Sequence, residues 1–321
     1  MGRYVGRQLL TIIPTILLSV VLNFALLHAA PGDPARIYAG FDTATNDQIA
    51  AVRHELGLDK PLPLQFALYV NQILHGNLGE SFAYHRPVLP VIFERLPATL
   101  LLTITSAIIA VILGALLAAV AARRTFSKVD FGLSFASYTF YAMPSFWLGL
   151  ILILVFASKL HWFPTSGMHD VRAGYTGYRN VLDVGKHLIL PVLTLVLVQT
   201  PIYYRITRAS VAEQQREDYI TTFRATGMSE QRIFRRYALR NALLPTVTVF
   251  GLSLGYVITG SALVEIVFGW PGIGRLTLDA VFQRDYPLLL GIYLILAVTV
   301  SLAILLTDLV YAVLDPRIRL R

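Results

Sequence analysis

The chain has no cysteine and few charged residues. Without cysteine, disulfide bonds and thiolate chemistry are excluded. Only 14% of the 321 residues are charged while 55% are hydrophobic, and the mean hydropathy is +0.62. Soluble domains carry about 25% charged residues. The sequence therefore predicts an integral membrane protein rather than a soluble domain.

Several catalytic and cofactor motifs are also missing. There is no G-x-x-x-x-G-K-[ST] phosphate loop, no H-E-x-x-H and no clustered metal-ligand spacing, and the seven histidines are scattered. The G-x-G of Gly272 and Gly274 lacks its third glycine, which argues against a dinucleotide site. We therefore expect no catalytic residue, bound cofactor or metal in this chain.

One hydrolase-like motif remains, Gly251-Leu252-Ser253-Leu254-Gly255, which matches G-x-S-x-G. That motif does chemistry on an exposed strand-to-helix turn, whereas here it lies inside an apolar helical run. The same residues form G-x-x-x-G, which predicts close helix packing at Gly251 and Gly255. The alternative, a membrane-bound serine hydrolase using Ser253, would require labelling by a serine-reactive probe.

Long apolar runs dominate the chain. A membrane-spanning helix needs about 20 apolar residues, more than the roughly 7–15 of a signal-peptide core. The first run is therefore predicted to be an uncleaved span, and the fold class is an all-α membrane protein with six transmembrane helices. The six runs are Leu9–Ala30, Pro97–Ala122, Phe131–Ala157, His187–Tyr204, Ala242–Phe268 and Pro287–Val313.

The basic residues predict the orientation. With the N-terminus inside, the inner segments hold 2, 3, 8 and 3 Lys and Arg residues and the outer segments hold 5, 4 and 2. Inner loops of membrane proteins carry the excess of Lys and Arg, so both termini are predicted to be cytoplasmic. The net charge of +8 then reflects contact with membrane lipid, not nucleic acid.

Two regions follow from this topology. Residues 1–95 are predicted to hold the first span and an extracytoplasmic cap with an amphipathic helix around Leu64 to Leu74. Residues 96–321 form a five-helix core with a cytoplasmic segment at about 213–245. No internal repeat is evident, so we expect a second membrane subunit to complete any transport pathway.

The most polar stretch of the core, Arg205 to Pro245, carries eight arginines and four acidic residues. Its pattern predicts a helix to about Thr226, a turn at Gly227 and a second helix capped by Ser229. A lipid-facing loop would need charge alone. Aromatic and aliphatic residues among the charges instead favour a docking surface for another protein; they are Tyr219, Ile220, Phe223, Ile233, Phe234 and Tyr237.

The segment DYITTFRATGMSEQRIFRRYALRNALLP resembles the cytoplasmic coupling motif of ABC importer permeases, in the branch that imports dipeptides, oligopeptides, nickel and glutathione. Other stretches resemble this branch in the same order and cover essentially the whole chain. They are PGDPA at 31–35, LGLDKPL at 56–62, GNLGESF at 76–82, RLPATL at 95–100, PSFWLGL at 144–150, HLILP at 187–191, VEIVFGWPGIGRL at 264–276, RDYP at 284–287 and DLVYAVLDPRIR at 308–319.

This resemblance implies a type I ABC importer permease in a bacterial or archaeal inner membrane. Its implied partners are a homologous second permease, two ATP-binding subunits that hold ATP and Mg, and an extracytoplasmic binding protein. Within such a pair, this chain resembles the permease with the long outer segment after its first span. A coupling role carries over to Asp218, Tyr219, Thr221, Thr222, Phe223, Arg224, Ala225, Gly227, Met228 and Ser229.

The motif departs from the wider family at two points. Glu-Ala-Ala is replaced by Thr221-Thr222-Phe223, and Ala-Lys-Gly by Ala225-Thr226-Gly227. A salt bridge from the motif glutamate is therefore not expected, although Glu217 or Asp218 offers a substitute acid.

Solute contacts are predicted on the third to fifth spans, where Glu265 is an intramembrane carboxylate. Such a group is costly in lipid unless it is paired, interfacial or facing water, and the same holds for Asp308. An autonomous secondary transporter coupled by these two acids is the alternative function. The candidate pathway or gate residues are Tyr141, Met143, Phe146, Gln199, Tyr203, Thr259, Ser261 and Glu265.

Overall fold

Helices make up most of the described chain. A computed structural model describes residues 2–29, 35–36, 45–55, 57–123, 125–256 and 261–314. The first part contains α1 (Gly2–Ala29), α2 (Asn46–Glu55), α3 (Leu62–Leu74), β1 (Glu80–Ser81), β2 (Arg86–Pro87) and α4 (Val88–Ala122). Then follow α5 (Lys128–Ala142), α6 (Ser145–Leu152, extended by π-helical turns over Ile153–Lys159), α7 (Tyr178–Gln214), α8 (Asp218–Ala225), α9 (Glu230–Ile233, extended by π-helical turns over Phe234–Ala238), α10 (Leu239–Ala242), α11 (Leu244–Tyr256), α12 (Ala262–Val267), α13 (Ile273–Phe282) and α14 (Tyr286–Leu314).

Three of these helices are long and apolar enough to cross a membrane: α4, α7 and residues Tyr286–Leu305 of α14. The pair α5 and α6 adds a fourth if it forms one broken span. Helix α1 contains a shorter apolar stretch, Ile13–Leu26. The chain is thus a mostly helical protein with three to four candidate spans in the described residues, and the number six stays a prediction.

The third predicted span, Phe131–Ala157, is not one straight helix. Helices α5 and α6 meet at an angle of 104°. Pro144 has no N–H to donate and keeps the residue before it out of the helical region; Met143 accordingly has φ −80° and ψ 131°. The predicted span therefore consists of two helices joined by a bend at Pro144, and a single membrane crossing by this pair stays a prediction.

The fifth predicted span, Ala242–Phe268, is also interrupted. Helix α11 ends at Tyr256, and α12 begins at Ala262. Residues 257–260 between them, including the candidate Thr259, lie outside the described part of the chain. The amphipathic helix expected around Leu64 to Leu74 is confirmed as α3.

The structure divides the chain into two compact units. The first comprises residues 1–97 and 275–305, and the second comprises 98–274 and the chain from 306. The division into residues 1–95 and 96–321 predicted from the sequence refers to membrane topology and not to compactness, and it stays a prediction.

In the first unit, a buried carboxylate joins the β1–β2 hairpin to the start of α14. Strands β1 and β2 pair antiparallel, and the Ser81 hydroxyl donates to the Asp285 carboxylate. The same carboxylate accepts the N–H groups of Ala83 at 3.1 Å and Leu288 at 3.2 Å. Asp285 is fully buried, so it fixes the hairpin against α14.

The second unit is built around α7, against which α5, α6 and α11 pack. Helix α4 also comes very close, because a Cβ on Gly114 would lie 2.7 Å from Tyr203 Cβ and 2.9 Å from the Thr200 carbonyl oxygen. The largest apolar cluster contains Leu102, Leu190 and Trp270, all nearly inaccessible to solvent. This core packs α4, α6, α7 and α12 against one another.

Candidate functional site

Helix α8 ends in a glycine-dependent cap. Gly227 has φ +78°, a left-handed conformation that favours glycine. Its N–H donates to the Arg224 carbonyl at 3.0 Å, and the Met228 N–H donates to the Phe223 carbonyl at 3.1 Å. These two bonds form a Schellman motif. The prediction that two short helices meet at Gly227 is confirmed.

The second helix, α9, begins as predicted after Ser229, which has extended φ and ψ angles. The Ser229 carbonyl accepts the N–H groups of Arg232 and Ile233 at 2.9 and 3.0 Å. Its hydroxyl, however, makes no capping hydrogen bond. Ser229 is therefore the N-cap by position, and the expectation of a side-chain cap was wrong.

The apolar side chains of this segment face inward. Ile220, Ile233 and Ala238 form a buried cluster, against which Tyr219, Phe223 and Met228 pack. The Phe223 and Tyr237 rings lie 4.3 Å apart, and Phe234 is buried in a neighbouring cluster. Ile220, Ile233 and Phe234 are thus part of the core, whereas Tyr219, Phe223 and Tyr237 are partly exposed, and their part in a docking surface stays a prediction.

The outward face of α8 is short and polar. It consists of exposed residues from the helix and its cap, most of them small; they are Asp218, Thr221, Thr222, Arg224, Ala225, Thr226, Gly227 and Ser229. We call this set the α8 face. Arg224 is the only long side chain in this set.

An ion pair connects α8 to α9. The Arg224 Nε donates to Glu230 Oε1 at 2.6 Å, and Nη2 donates to Oε2 at 3.2 Å. The Arg224 guanidinium lowers the pKa of the Glu230 carboxyl, and Glu230 raises the pKa of Arg224. Because both side chains are exposed, solvent screening makes the pair a weak contributor to stability.

Helix α8 is also tied to the end of α7. The Tyr219 hydroxyl donates to Gln214 Oε1 at 2.7 Å and accepts from Asn241 Nδ2 at 3.4 Å. Gln214 is the last residue of α7. The turn between α7 and α8 is thus bridged by side chains as well as by the backbone.

A second polar site surrounds Glu265 on α12. This carboxylate is 0% exposed, and its Oε1 accepts from Thr99 Oγ1 at 2.8 Å and Ser261 Oγ at 2.9 Å. A Cβ on Gly272 would collide with the carboxylate. Trp270 completes the arrangement, since its Nε1 donates to the Ala98 carbonyl at 2.8 Å. Glu265 therefore joins α4, α12 and the turn before α13.

The candidate pathway residues separate into two groups. Tyr203 and Ser261 are buried, like Glu265, and each makes a side-chain hydrogen bond. Tyr141 and Phe146 flank the bend at Pro144 and are 51% and 42% exposed; Met143 and Gln199 are partly exposed. In this conformation the first group packs inside the protein. Solute contact stays a prediction for all of them.

The hydrolase-like motif has no catalytic arrangement in the described residues. The Ser253 hydroxyl donates to the Phe250 carbonyl at 2.7 Å and shares a hydrogen bond with Tyr203 Oη at 2.8 Å. Gly251 is buried on α11, and packing at Gly251 and Gly255 stays a prediction. Asp308 lies on α14, but its side chain is outside the described part.

Sequence reasoning missed an ion pair between α5 and α7, in which the Asp130 side chain is buried and the Arg208 side chain is partly exposed. Arg208 Nε donates to Asp130 Oδ1, and Arg208 Nη2 donates to Asp130 Oδ2, both at 2.7 Å. The partners are 78 residues apart. The only local signal is an acidic residue three positions after Ser127, whose hydroxyl accepts the Asp130 N–H.

Two models of protein families match the chain. The family model described as "Binding-protein-dependent transport system inner membrane component" matches residues 110–320. The model for the N-terminal part of such membrane components matches residues 1–103. The chain belongs to this family.

Individual permeases of the family match along the full chain. The oligopeptide transport system permease protein AppB of Bacillus subtilis is 38% identical, with 99% of both chains covered. The di/tripeptide transport system permease protein DppB of Pseudomonas aeruginosa is 38% identical, with 98% of both covered. The glutathione transport system permease protein GsiC of Salmonella choleraesuis is 41% identical, with 99% of both covered.

Membership in this permease family fits the apolar helices. The chain is a membrane subunit of the binding-protein-dependent transport type, and its long apolar helices make it a multi-pass membrane protein. The similar permeases are named for oligopeptides, di- and tripeptides, and glutathione. The resemblance stated from the sequence motifs is thereby confirmed.

Proposed function

We propose that this chain is the translocation subunit of an ATP-driven importer for peptides or a related small solute. ATP and Mg bind to two partner ATPase subunits, and the chain itself catalyses no reaction. Closure of the ATPases moves the α8 face, and this movement switches the transmembrane helices between inward-open and outward-open states. A homologous permease and an extracytoplasmic binding protein complete the assembly in the inner membrane.

The observation that carries this proposal is the build of the α8 face. A short helix is held on its inner side by the cluster of Ile220 and Ile233, and its outer side presents small polar residues. A loop that only contacts lipid headgroups needs neither a buried core nor a defined cap. The segment thus has a buried core, a defined cap and an exposed face, as expected of a surface that transmits force to a partner.

The acidic group of the wider motif has a candidate replacement in this chain. Thr221 occupies the glutamate position, while Asp218 lies on the exposed first turn of α8. A carboxylate in the first turn is favoured by the helix dipole. Asp218 is therefore proposed to supply the acidic contact with the ATPase.

The topology proposed with this function has six spans and cytoplasmic termini. It requires α11 and α12 to form the fifth span and α1 to form the first. It also places the α8 face on the cytoplasmic side, where the ATPases are. The excess of Lys and Arg in the inner segments supports this orientation.

The proposed solute class is a peptide, by analogy with the oligopeptide and di/tripeptide permeases. Glutathione, a nickel chelate or another small solute is the alternative, since a glutathione permease is 41% identical over the full chain, against 38% for the two peptide permeases. We assign specificity mainly to the binding protein and not to the exposed Tyr141 and Phe146.

The experiment is reconstitution of the whole importer in proteoliposomes with ATP inside and solute-loaded binding protein outside. The proposal expects uptake that requires ATP and all partner subunits, with peptide favoured over glutathione and a nickel chelate. Uptake by this chain alone, driven by a proton or ion gradient, would instead support the secondary-transporter alternative. The α8 face would then have no coupling role.

A further inference from the structure

The Asp130–Arg208 pair lies where the membrane helices meet the coupling segment. Asp130 is in the first turn of α5, and its side chain is 4% exposed; that of Arg208, on α7, is 32% exposed. The pair is bidentate, with two bonds of 2.7 Å. Because a guanidinium matches a carboxylate in this geometry, the contact fixes orientation as well as distance.

The carboxylate also holds the loop that connects α4 to α5. Asp130 Oδ2 accepts the Phe126 N–H at 3.0 Å, and Phe126 has φ +62°. At the start of the same loop, the Arg123 guanidinium lies 4.6 Å from the centre of the Phe234 ring. Asp130 thus joins the loop, α5 and α7, while Arg123 contacts the π-helical extension of α9.

A second contact lies one helical turn further along both helices. Ser134 Oγ and Tyr204 Oη share a hydrogen bond of 2.9 Å; each is four residues from Asp130 or Arg208. Two contacts on successive turns prevent α5 from rotating or sliding independently of α7. The charged pair is the stronger of the two, since charge-assisted bonds are about twice as strong as neutral ones.

These contacts connect the two ends of the proposed transport machinery. Helix α7 runs from Tyr178 to Gln214 without a break, and Gln214 is bound by Tyr219 of α8. Helix α5 has 15 residues, about 22 Å at roughly 1.5 Å per residue. It ends at the bend that exposes Tyr141 and Phe146. A displacement of α8 therefore has a continuous mechanical route to that bend.

We propose that the Asp130–Arg208 pair is a positioning linkage that carries the movement of α8 through α7 and α5 to the bend at Pro144. This inference rests on the proposed import function. Without the pair, the ATPases still close and hydrolyse ATP, but α5 no longer follows α7. The expected defect is a loss of solute moved per ATP hydrolysed, and not a loss of ATP hydrolysis.

The test uses the reconstituted full importer with Asp130→Asn, Arg208→Gln and Arg208→Lys. The lysine variant keeps the charge but loses the bidentate geometry. We expect each variant to assemble and hydrolyse ATP, with uptake per ATP reduced roughly tenfold or more. Asp130→Asn and Arg208→Gln leave the remaining partner without its counter-charge, and Arg208→Lys loses the two-bond geometry that fixes the orientation of α5 against α7. The matched control is Glu94→Gln, which removes the exposed Arg86–Glu94 pair and should leave the ratio unchanged.

The double variant Asp130→Asn/Arg208→Gln tests whether the two residues act as one unit. A linkage predicts that the double variant loses no more than the more affected single variant. Multiplying defects, unchanged uptake per ATP, or failure of every variant to assemble would overturn the proposal, the last because it makes the pair a folding element. Wild-type uptake in the same preparation tests the import function separately.

Discussion

Replacing Gly227 tests the α8 cap without removing any contact. No heavy atom lies within 4 Å of a Cβ built on Gly227, so a side chain has room there. The backbone is the constraint, since φ is +78°. Gly227→Val places a β-branched residue in a conformation it rarely adopts, whereas Gly227→Asn introduces a residue that tolerates it.

The expected size follows from the backbone strain. A left-handed conformation costs a residue other than glycine or asparagine roughly 1–2 kcal/mol. That energy corresponds to a factor of about 5–30 in the equilibrium between the capped α8 and alternative endings. Valine should lie at the upper end, alanine in the middle and asparagine close to wild type.

The assay is uptake per ATP hydrolysed in the reconstituted importer, with the amount of inserted protein measured in parallel. We expect insertion to be unchanged and coupling to fall in the order Gly, Asn, Ala, Val. Full coupling in the valine variant would refute the role of the cap. Equal defects for asparagine and valine would refute the backbone argument, because only side-chain bulk would then explain them.

Three further predictions concern side-chain bonds. Glu265→Ala removes the acceptor for Ser261 and should destabilise the purified complex by about 1–3 kcal/mol in thermal unfolding. Glu265→Gln keeps an acceptor oxygen and should destabilise the complex less. Equal destabilisation by the two variants would contradict the hydrogen-bond account. Ser81→Ala leaves the buried Asp285 with one donor fewer and should also cost about 1–3 kcal/mol, whereas an unchanged melting temperature would argue against that contact. Arg224→Gln should lower the melting temperature slightly at neutral pH, since the lowered pKa of Glu230 gives stability that is lost as the pH falls through that pKa. The difference from wild type should therefore be smaller in melts at pH 3 than in melts at pH 7. A difference that grows in acid would contradict the sign.

The elements that sequence reasoning predicted depend on local patterns. The amphipathic repeat of α3 and the position of Gly227 between two polar helices are visible within a dozen residues. Glycine supplies the left-handed turn by its own backbone freedom, so its place in the sequence is sufficient to locate the end of α8.

The contacts that sequence reasoning missed join residues that are far apart in the sequence. Asp130 and Arg208 are 78 positions apart, and Thr99 and Glu265 are 166 apart. Composition predicts that the aromatic residues of Arg205–Pro245 form a docking surface, yet Phe234 is buried and Phe223 packs partly against Ile220 and Ile233. Composition reports which residues a segment contains, but only the packed fold decides which side of a short helix faces solvent.

Site-specific cross-linking of the α8 face tests the central claim most directly. The chain has no cysteine, so Thr222→Cys gives it a single thiol for a photoactivatable cross-linker. The control is Trp162→Cys, a residue 63% exposed in the loop between α6 and α7, predicted to be extracytoplasmic. We predict that Thr222→Cys cross-links to a partner ATPase in the assembled importer and that Trp162→Cys does not. Failure of Thr222→Cys to reach an ATPase in an importer that retains uptake would contradict the account.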